Sequence, residues 1–200
     1  PGIRLIQLME DQNSQELLKQ LAQISRPPLL HHLGRANNLI AVLGTPGSPG
    51  ISTITNHLAV FKSALVIAAE HHNLRPQSSA KVQTISASEL DKKLVSLGSE
   101  LAIIDSGTSV ALTKTISDRR MNALWLSHSL TCAGNLIYVL EANDNGISYL
   151  AEFVSDFKNL INPPPIFYVL NQQRFDRRGH SIQSKFLEVV GNLPSFQIPQ

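Results

Sequence analysis

A glycine-rich loop with two hydroxyl residues is the part of this sequence best suited to chemistry. It reads GTPGSPGIST from Gly44 to Thr53, follows the apolar segment NLIAVLG and leads directly into a predicted helix. Backbone N–H groups and the helix dipole converge where a strand, a glycine loop and a helix N-terminus meet, so such a loop can hold an anion. We expect that anion to be phosphate. The alternative is a tight turn between strand and helix that merely uses Gly and Pro.

The segments that must position this loop alternate between strands and helices. Strands are predicted at NLIAVLG, KVQTIS, LAIID, NLIYVLEA and IFYVLN, with helices between them. Residues 58–69 could form one long buried helix, but we favour a strand over 64–68. Strands that are apolar throughout and joined by helices indicate a mostly parallel sheet covered on both faces. The sequence therefore predicts an α/β fold, a three-layer sandwich.

Taken with these elements, the loop resembles a known family. The stretch IAVLGTPGSPGISTITNHLA is similar to the deviant P-loop of the MinD/ParA ATPases, in particular the branch related to the pilus-assembly proteins CpaE and TadZ, where Pro enters this loop. LAIIDSG resembles the family's Walker B strand, and IFYVLNQQR resembles its late strand ending in Asn. The resemblance covers residues 37–200 and implies a P-loop NTPase-like fold.

The resemblance also implies site residues for ATP or ADP and for Mg²⁺. Asn171 matches the position that contacts the base, although a strand-end Asn that begins a turn is the competing explanation. Asp105 and Ser52 would hold Mg²⁺, with Asp105 binding directly or through water. The alternative for Asp105 is an aspartate that caps the end of a buried strand. The loop positions that would contact the nucleotide are those of Gly47, Ser48, Gly50, Ser52 and Thr53.

Several residues depart from the family's pattern. Both lysines of its loop are missing, because Pro46 and Ile51 occupy their positions, and Ala68 stands where an aspartate would position the attacking water. Charge-assisted contacts like those of the second lysine contribute about 1.5–3 kcal/mol each. We therefore expect weak nucleotide binding and still weaker hydrolysis. Replacing Ile51 by Lys is expected to raise the affinity if the loop keeps its cradle shape.

Charge and composition exclude several classes of protein. Seventeen Lys and Arg against fifteen Asp and Glu give a net charge of +2, too small for a general attraction to nucleic acid or anionic lipid. Cys132 is the only cysteine, which excludes an intramolecular disulfide and a Cys-rich zinc site. No apolar run approaches the roughly 20 residues of a membrane-spanning helix. We expect a cytoplasmic protein, at most peripheral to a membrane-bound assembly.

Three other groups of residues favour ordinary surface roles. The histidine pairs at 31–32 and 71–72 lack a third ligand at metal spacing. Arg119 and Arg120 match an Arg-containing segment of the branch and could contact phosphate or a partner, but solvated arginines are favoured. The loop RFDRRGH (174–180) is a small basic patch with one aromatic side chain that could touch nucleic-acid phosphates. An exposed charged loop is the favoured interpretation.

Proline and glycine divide the chain into two parts. Residues 1–36 are predicted to be a βα remnant of an upstream, receiver-like module plus a linker, and 37–200 to be the P-loop-like domain. The opening Pro1-Gly2 is not expected to be the natural start. The final strand SFQI would lead, in the family, into a covering helix. We therefore expect the domain to continue past Gln200, and a longer chain to melt at a higher temperature.

These observations lead to one main functional hypothesis. The resemblance implies a MinD/ParA-like protein with little or no ATPase activity that acts through protein partners as a localisation or assembly factor, for example for a pilus or secretion system. It could form a homodimer independently of nucleotide. The first alternative is a slow but genuine ATPase in which Arg119 or Arg120 supplies the missing charge. The second is a partitioning-type factor that binds DNA nonspecifically.

Overall fold

The structure is a computed structural model and describes residues 34–69, 80–109, 111–112 and 121–200. Strands and helices alternate along these residues in the predicted order. In chain order the elements are β1 (Ala36–Gly44), α1 (Ile51–Lys62), β2 (Leu65–Ala69), β3 (Lys81–Ile85), α2 (Leu90–Ser96), β4 (Ala102–Thr108), α3 (Met121–Cys132), β5 (Ala133–Glu141), α4 (Asp144–Lys158), β6 (Ile166–Gln173), α5 (Arg177–Val190) and β7 (Ser195–Pro199).

The strands form one seven-stranded sheet in the order β3-β2-β4-β1-β5-β6-β7. Every neighbouring pair runs parallel, so the expectation of a mostly parallel sheet is confirmed. In a parallel sheet the carboxyl ends of all strands lie at one edge, where α/β folds place their binding loops. The glycine loop follows central β1 and therefore lies at that edge, between the ends of β4 and β5.

Helices cover both faces of the sheet. Val139 of β5 belongs to the hydrophobic cluster that contains Ile51 and Ala59 of α1. The ring of its neighbour Tyr138 lies 4.1 Å, centroid to centroid, from the ring of Phe153 on α4. Successive strand residues point to opposite faces, so α1 and α4 lie on opposite sides of the sheet. The α/β three-layer architecture predicted from the sequence is confirmed.

The ambiguous segment 58–69 contains the end of a helix and a strand. Ser63 adopts a left-handed conformation, with φ = 51°, and its N–H donates to the Val60 carbonyl. That turn ends α1, and Leu65–Ala69 then pairs with both β3 and β4. The predicted strand is confirmed and the single long helix is wrong.

Strand β4 runs further than the sequence indicated. The prediction ended this strand at Asp105, whereas β4 continues to Thr108. Ser106 of β4 is an extra residue in the pairing with β1, because Val42 lies opposite Asp105 and Leu43 opposite Gly107, and the pairing then continues to Gly44 opposite Thr108. Asp105 therefore lies inside a strand, three residues before its end.

Polar side chains fasten the opposite edge of the sheet, at the amino ends of the strands. Arg35 Nη1 donates to the carbonyl oxygens of Leu130 and Ala133 at 3.0 and 3.2 Å. Asn38 Nδ2 donates to the carbonyl of Glu100 at 2.6 Å. These bonds tie the start of β1 to the end of α3 and to the turn before β4.

The outer strand β7 is the most exposed part of the sheet. Phe196 and Ile198 of β7 are 62% and 37% exposed. Among the described residues, no helix is long and apolar enough to cross a membrane. Residues 1–33 lie outside the described part, so the division of the chain at residue 36 and its continuation past Gln200 stay predictions.

Candidate functional site

The glycine loop is fixed at its base and turns through two left-handed glycines. Thr45 N–H donates to the Val139 carbonyl at 3.0 Å, and Ser48 N–H donates to the Thr45 carbonyl at 3.0 Å. Gly47 and Gly50 have φ values of 76° and 95°, which L side chains rarely adopt. The loop thus has a defined shape, and α1 begins directly after Gly50 without a side-chain cap.

The residue at the second lysine position points into the core. Ile51 is 6% exposed and belongs to the same buried cluster as Val42 and Ile103. At the first lysine position, Pro46 is exposed at the tip of the loop. Neither residue brings positive charge to the loop, and Pro46 and Pro49 also lack backbone N–H donors.

The hydroxyl residues of the loop differ in their surroundings. The Ser48 Oγ is buried and has no hydrogen-bond partner among the described residues. Ser52 is half-buried and Thr53 is exposed, both in the first turn of α1. One turn further along, Thr55 Oγ1 donates back to the Ile51 carbonyl at 3.0 Å. Ser48 is therefore the loop hydroxyl with unmet hydrogen-bonding capacity.

The amide of Asn171 contacts the loop itself. Its Nδ2 donates to the Pro49 carbonyl at 2.9 Å. A β-carbon on Gly50 would lie 2.3 Å from that nitrogen, so only glycine fits there. The structure thus brings Asn171 together with Gly50, as the predicted site requires. That Asn171 contacts a base stays a prediction.

Asp105 is fully buried on the same face of the sheet as α1. It lies beside Val42 of β1 and Ala68 of β2 in the register of β4. Its Oδ1 accepts a hydrogen bond from the Gly107 N–H at 3.0 Å, a local turn contact of the kind that the capping interpretation predicts. No group of three or more His, Cys, Asp or Glu residues in the described part could hold a metal ion. A Mg²⁺ site at Ser52 and Asp105 stays a prediction.

The basic segment 174–180 makes one ion pair within itself and faces an aspartate of α4. Arg174 pairs with Asp176 at 2.6 Å, while Asp144 of α4 accepts Lys185 at 2.7 Å and lies 4.0 Å from Arg178. The Gly179 N–H, donating to its carboxylate, holds the pKa of Asp176 below its usual value. The segment is charged and mostly exposed, as the favoured interpretation predicts, but only 174–176 is a loop, because Asp176 caps α5 and the helix begins at Arg177.

Two buried polar contacts near this edge had no signal in the sequence. Gln173 Nε2 donates to the carbonyls of Arg174 and Gly179 and so joins β6 to the first turn of α5. The hydroxyls of Ser106 on β4 and Ser129 on α3 bond to each other in the core. Both contacts need long-range packing that residue spacing does not reveal.

Glu70, the histidine pairs and both Arg119 and Arg120 lie outside the described residues.

Comparison with known proteins shows similarity at the level of structure. No protein-family model matches the chain, and no curated protein sequence matches it. A ParA family ATPase from Chlorobium tepidum has a TM-score of 0.57 at 14% identity, over 82% of this chain and 84% of that one. A plasmid partition protein from Borrelia burgdorferi gives 0.55 at 14% identity, over 82% and 90%.

The MinD cell division protein of Aquifex aeolicus is a further neighbour. Its TM-score is 0.52 at 11% identity, over 82% of each chain. At sequence identities this low, the similarity shows a shared fold and nothing about function. Together with the all-parallel sheet and the loop after its central strand, they show that this chain has the α/β fold of the ParA and MinD P-loop ATPases.

Proposed function

We propose that this chain is a ParA/MinD-fold protein that acts through protein partners as a localisation or assembly factor, with little or no nucleotide turnover. The observation that carries the proposal is the burial of Ile51 in the hydrophobic core, at the position that resembles the phosphate-binding lysine. A residue that packs under the loop contributes to folding and gives nothing to a phosphate above it.

The donors at the loop do not fit a tightly held triphosphate. Phosphoryl transfer depends on positive charge at the β- and γ-phosphates, and this loop offers Pro46 and Ile51 there. Removing one preorganised donor to transition-state charge slows catalysis by about 10²–10³-fold. Binding without the lysine contact is weaker by roughly one to two orders of magnitude. Any ATP or ADP, with Mg²⁺, would therefore bind weakly.

The cellular role rests on analogy. The solved neighbours include a plasmid partition protein and a cell division protein. By analogy with these names, the proposed role is to position other cellular structures. The resemblance of the proline-containing loop to the CpaE/TadZ branch favours a pilus or secretion system, in the cytoplasm and peripheral to a membrane-bound assembly. Contact with nucleic acid is not part of this proposal.

Calorimetric titration with ATP and ADP in the presence of Mg²⁺ tests the proposal. We expect dissociation constants no tighter than the high micromolar range and phosphate release equal to a control without protein. Steady release of about 0.1 per second or faster, abolished by Asp105→Ala, would favour the slow ATPase instead. Thr84→Ala, a change at an exposed position of the outer strand β3, away from the loop, is the control for unspecific damage.

A further inference from the structure

A buried side-chain amide joins the glycine loop to the end of β6. Asn171 is 9% exposed and its Nδ2 lies 2.9 Å from the Pro49 carbonyl oxygen. The absence of a side chain at Gly50 leaves the room that this amide fills. Asn171 and the loop thus contact each other directly.

Asn171 lies on the face of β6 that packs against α1, two residues after Val169 of the cluster that contains Ile51, and β6 becomes irregular at this point. The pairing of β6 with β7 shifts register between Leu170 and Gln173, and Gln172 has φ = 60°, a left-handed conformation uncommon outside glycine. Bulges of this kind redirect side chains at functional edges of sheets. The Asn171 carbonyl meanwhile accepts the Ala142 N–H at 2.9 Å, which fastens the main chain to the end of β5.

We propose that the Asn171 carboxamide is a latch that holds the glycine loop in its curved shape. The amide donates to Pro49 and is therefore withheld from a nucleobase. The consequence for base recognition deepens the proposed function and rests on it. The latch itself does not rest on it, because the latch concerns only the shape of the loop. Asn171 is thus a positioning residue that acts on the loop through Pro49.

Asn171→Asp tests the latch by reversing the hydrogen bond. An ionised carboxylate cannot donate to the Pro49 carbonyl and would repel it, while a protonated carboxyl group would donate again. Hydrogen exchange at Ser48 and Ile54 reports on the loop, because their N–H groups donate to the carbonyls of Thr45 and Gly50. At pH 7 we expect exchange roughly 3- to 10-fold faster than in the wild type, and this ratio should fall towards one as the pH is lowered through the carboxyl pKa of about 4.

Two further variants keep the test decisive. Asn171→Ala removes the latch, so its loop amides should exchange faster than wild type at every pH. Asn143→Asp is the matched control, because Asn143 Oδ1 only accepts, from the Gly146 N–H at 2.7 Å, and a carboxylate accepts equally well. Emission from Trp125, the only tryptophan and fully buried, checks that each variant is folded.

The latch and the proposed function fail in different measurements. Loop amides that exchange at the wild-type rate in folded Asn171→Ala would overturn the latch, whatever calorimetry shows. Asn171→Asp exchange that does not depend on pH relative to the wild type would do the same. Tight ATP binding or turnover by the wild-type protein would instead overturn the proposed function. It would not alter the exchange of the loop amides, on which the latch is tested.

Discussion

A β-carbon added to Gly44 would lie 2.7 Å from Cδ1 of Ile51, because Ile51 packs directly over the end of β1. The same β-carbon would lie 2.4 Å from the Val139 carbonyl oxygen. The absence of a side chain at Gly44 therefore leaves the room that Ile51, the first residue of α1, occupies. The first turn of this helix is joined to the core by an apolar side chain at the position where a lysine would face a phosphate.

Ile51→Lys should destabilise the protein and bring no gain in ATP affinity. The change removes a buried apolar side chain and asks an ammonium group to occupy its place, so we expect a loss of about 2–4 kcal/mol in the free energy of unfolding. Urea unfolding followed by Trp125 emission measures it. The sequence alone led to the opposite expectation, that a lysine there would raise the affinity if the loop kept its shape, and the burial of Ile51 is the reason for the change.

Thr53→Lys provides the comparison for that experiment. Thr53 is exposed two residues further along the same helix, and surface substitutions usually stay within about 0.5 kcal/mol. Equal unfolding free energies for the two variants, or an Ile51→Lys protein that binds ATP markedly tighter, would contradict the buried orientation of Ile51.

Asn143→Ala should weaken α4. Asn143 is the N-cap of this helix and accepts the Gly146 N–H, so its loss should cost about 0.5–2 kcal/mol. For a domain of this size each kcal/mol lowers the melting temperature by about 2–4 °C. Calorimetry of Asn143→Ala beside Asn145→Ala, an exposed neighbour without a capping role, should show the drop only in the first.

Acid should weaken the contact between α4 and α5. The hydrogen bond from Lys185, followed by its charge and that of Arg178, holds the pKa of Asp144 below the usual aspartate value. A depressed carboxyl pKa contributes stability above the unfolded pKa, and this contribution is lost as the pH falls through the folded pKa. An NMR titration should show the Asp144 pKa rise in Lys185→Met and stay unchanged in Lys158→Met.

Tyr168→Phe should leave the stability at neutral pH unchanged or raise it by up to about 1 kcal/mol. The Tyr168 hydroxyl is buried without a hydrogen-bond partner among the described residues, and burial raises its pKa to about 12. The neutral form is favoured in the fold, so stability is full below about pH 10 and falls as the pH rises through the folded value. Urea midpoints at neutral and strongly alkaline pH should show that loss reduced in Tyr168→Phe. A large loss at neutral pH would contradict the unpaired hydroxyl.

Self-association should not respond to nucleotide. In the family that the loop resembles, the first lysine couples ATP to dimer formation, and here exposed Pro46 has neither charge nor N–H. Light scattering with and without a non-hydrolysable ATP analogue should give the same molar mass. A doubling that requires the analogue would refute this prediction.

The order of the elements was predictable because each is a local pattern. Apolar runs gave the strands, and the glycine loop with its following helix could be read directly from Gly44 to Thr53. Segment 58–69 was ambiguous because helix and buried strand share an apolar composition. What separates them is the left-handed turn at Ser63, a residue that does not usually mark such a turn.

The role of Asn171 could not be predicted in the same way. Its position at the end of IFYVLN suggested contact with a base or a turn, whereas the structure directs its amide to Pro49, 122 residues away in sequence. Alternation along β6 puts Asn171 on the same face as Val169, which packs in the cluster with Ile51, but the partner of its amide depends on how the loop folds back, which the sequence does not reveal. Asp105 was misplaced at a strand end because the extra residue that lets β4 continue, Ser106, has no local signal in the sequence.

The hydrogen bonds of Arg35 have a thermodynamic consequence. They lie at the amino ends of the strands, and the nine residues of β1 separate them from the glycine loop by about 30 Å at 3.3 Å per residue. Sites that far apart with no shared partner usually contribute additively to the free energy of unfolding. Arg35→Ala and Asn171→Ala combined in one chain should therefore lose the sum of their separate effects, and the two edges of the sheet can vary independently as the sequence diverges.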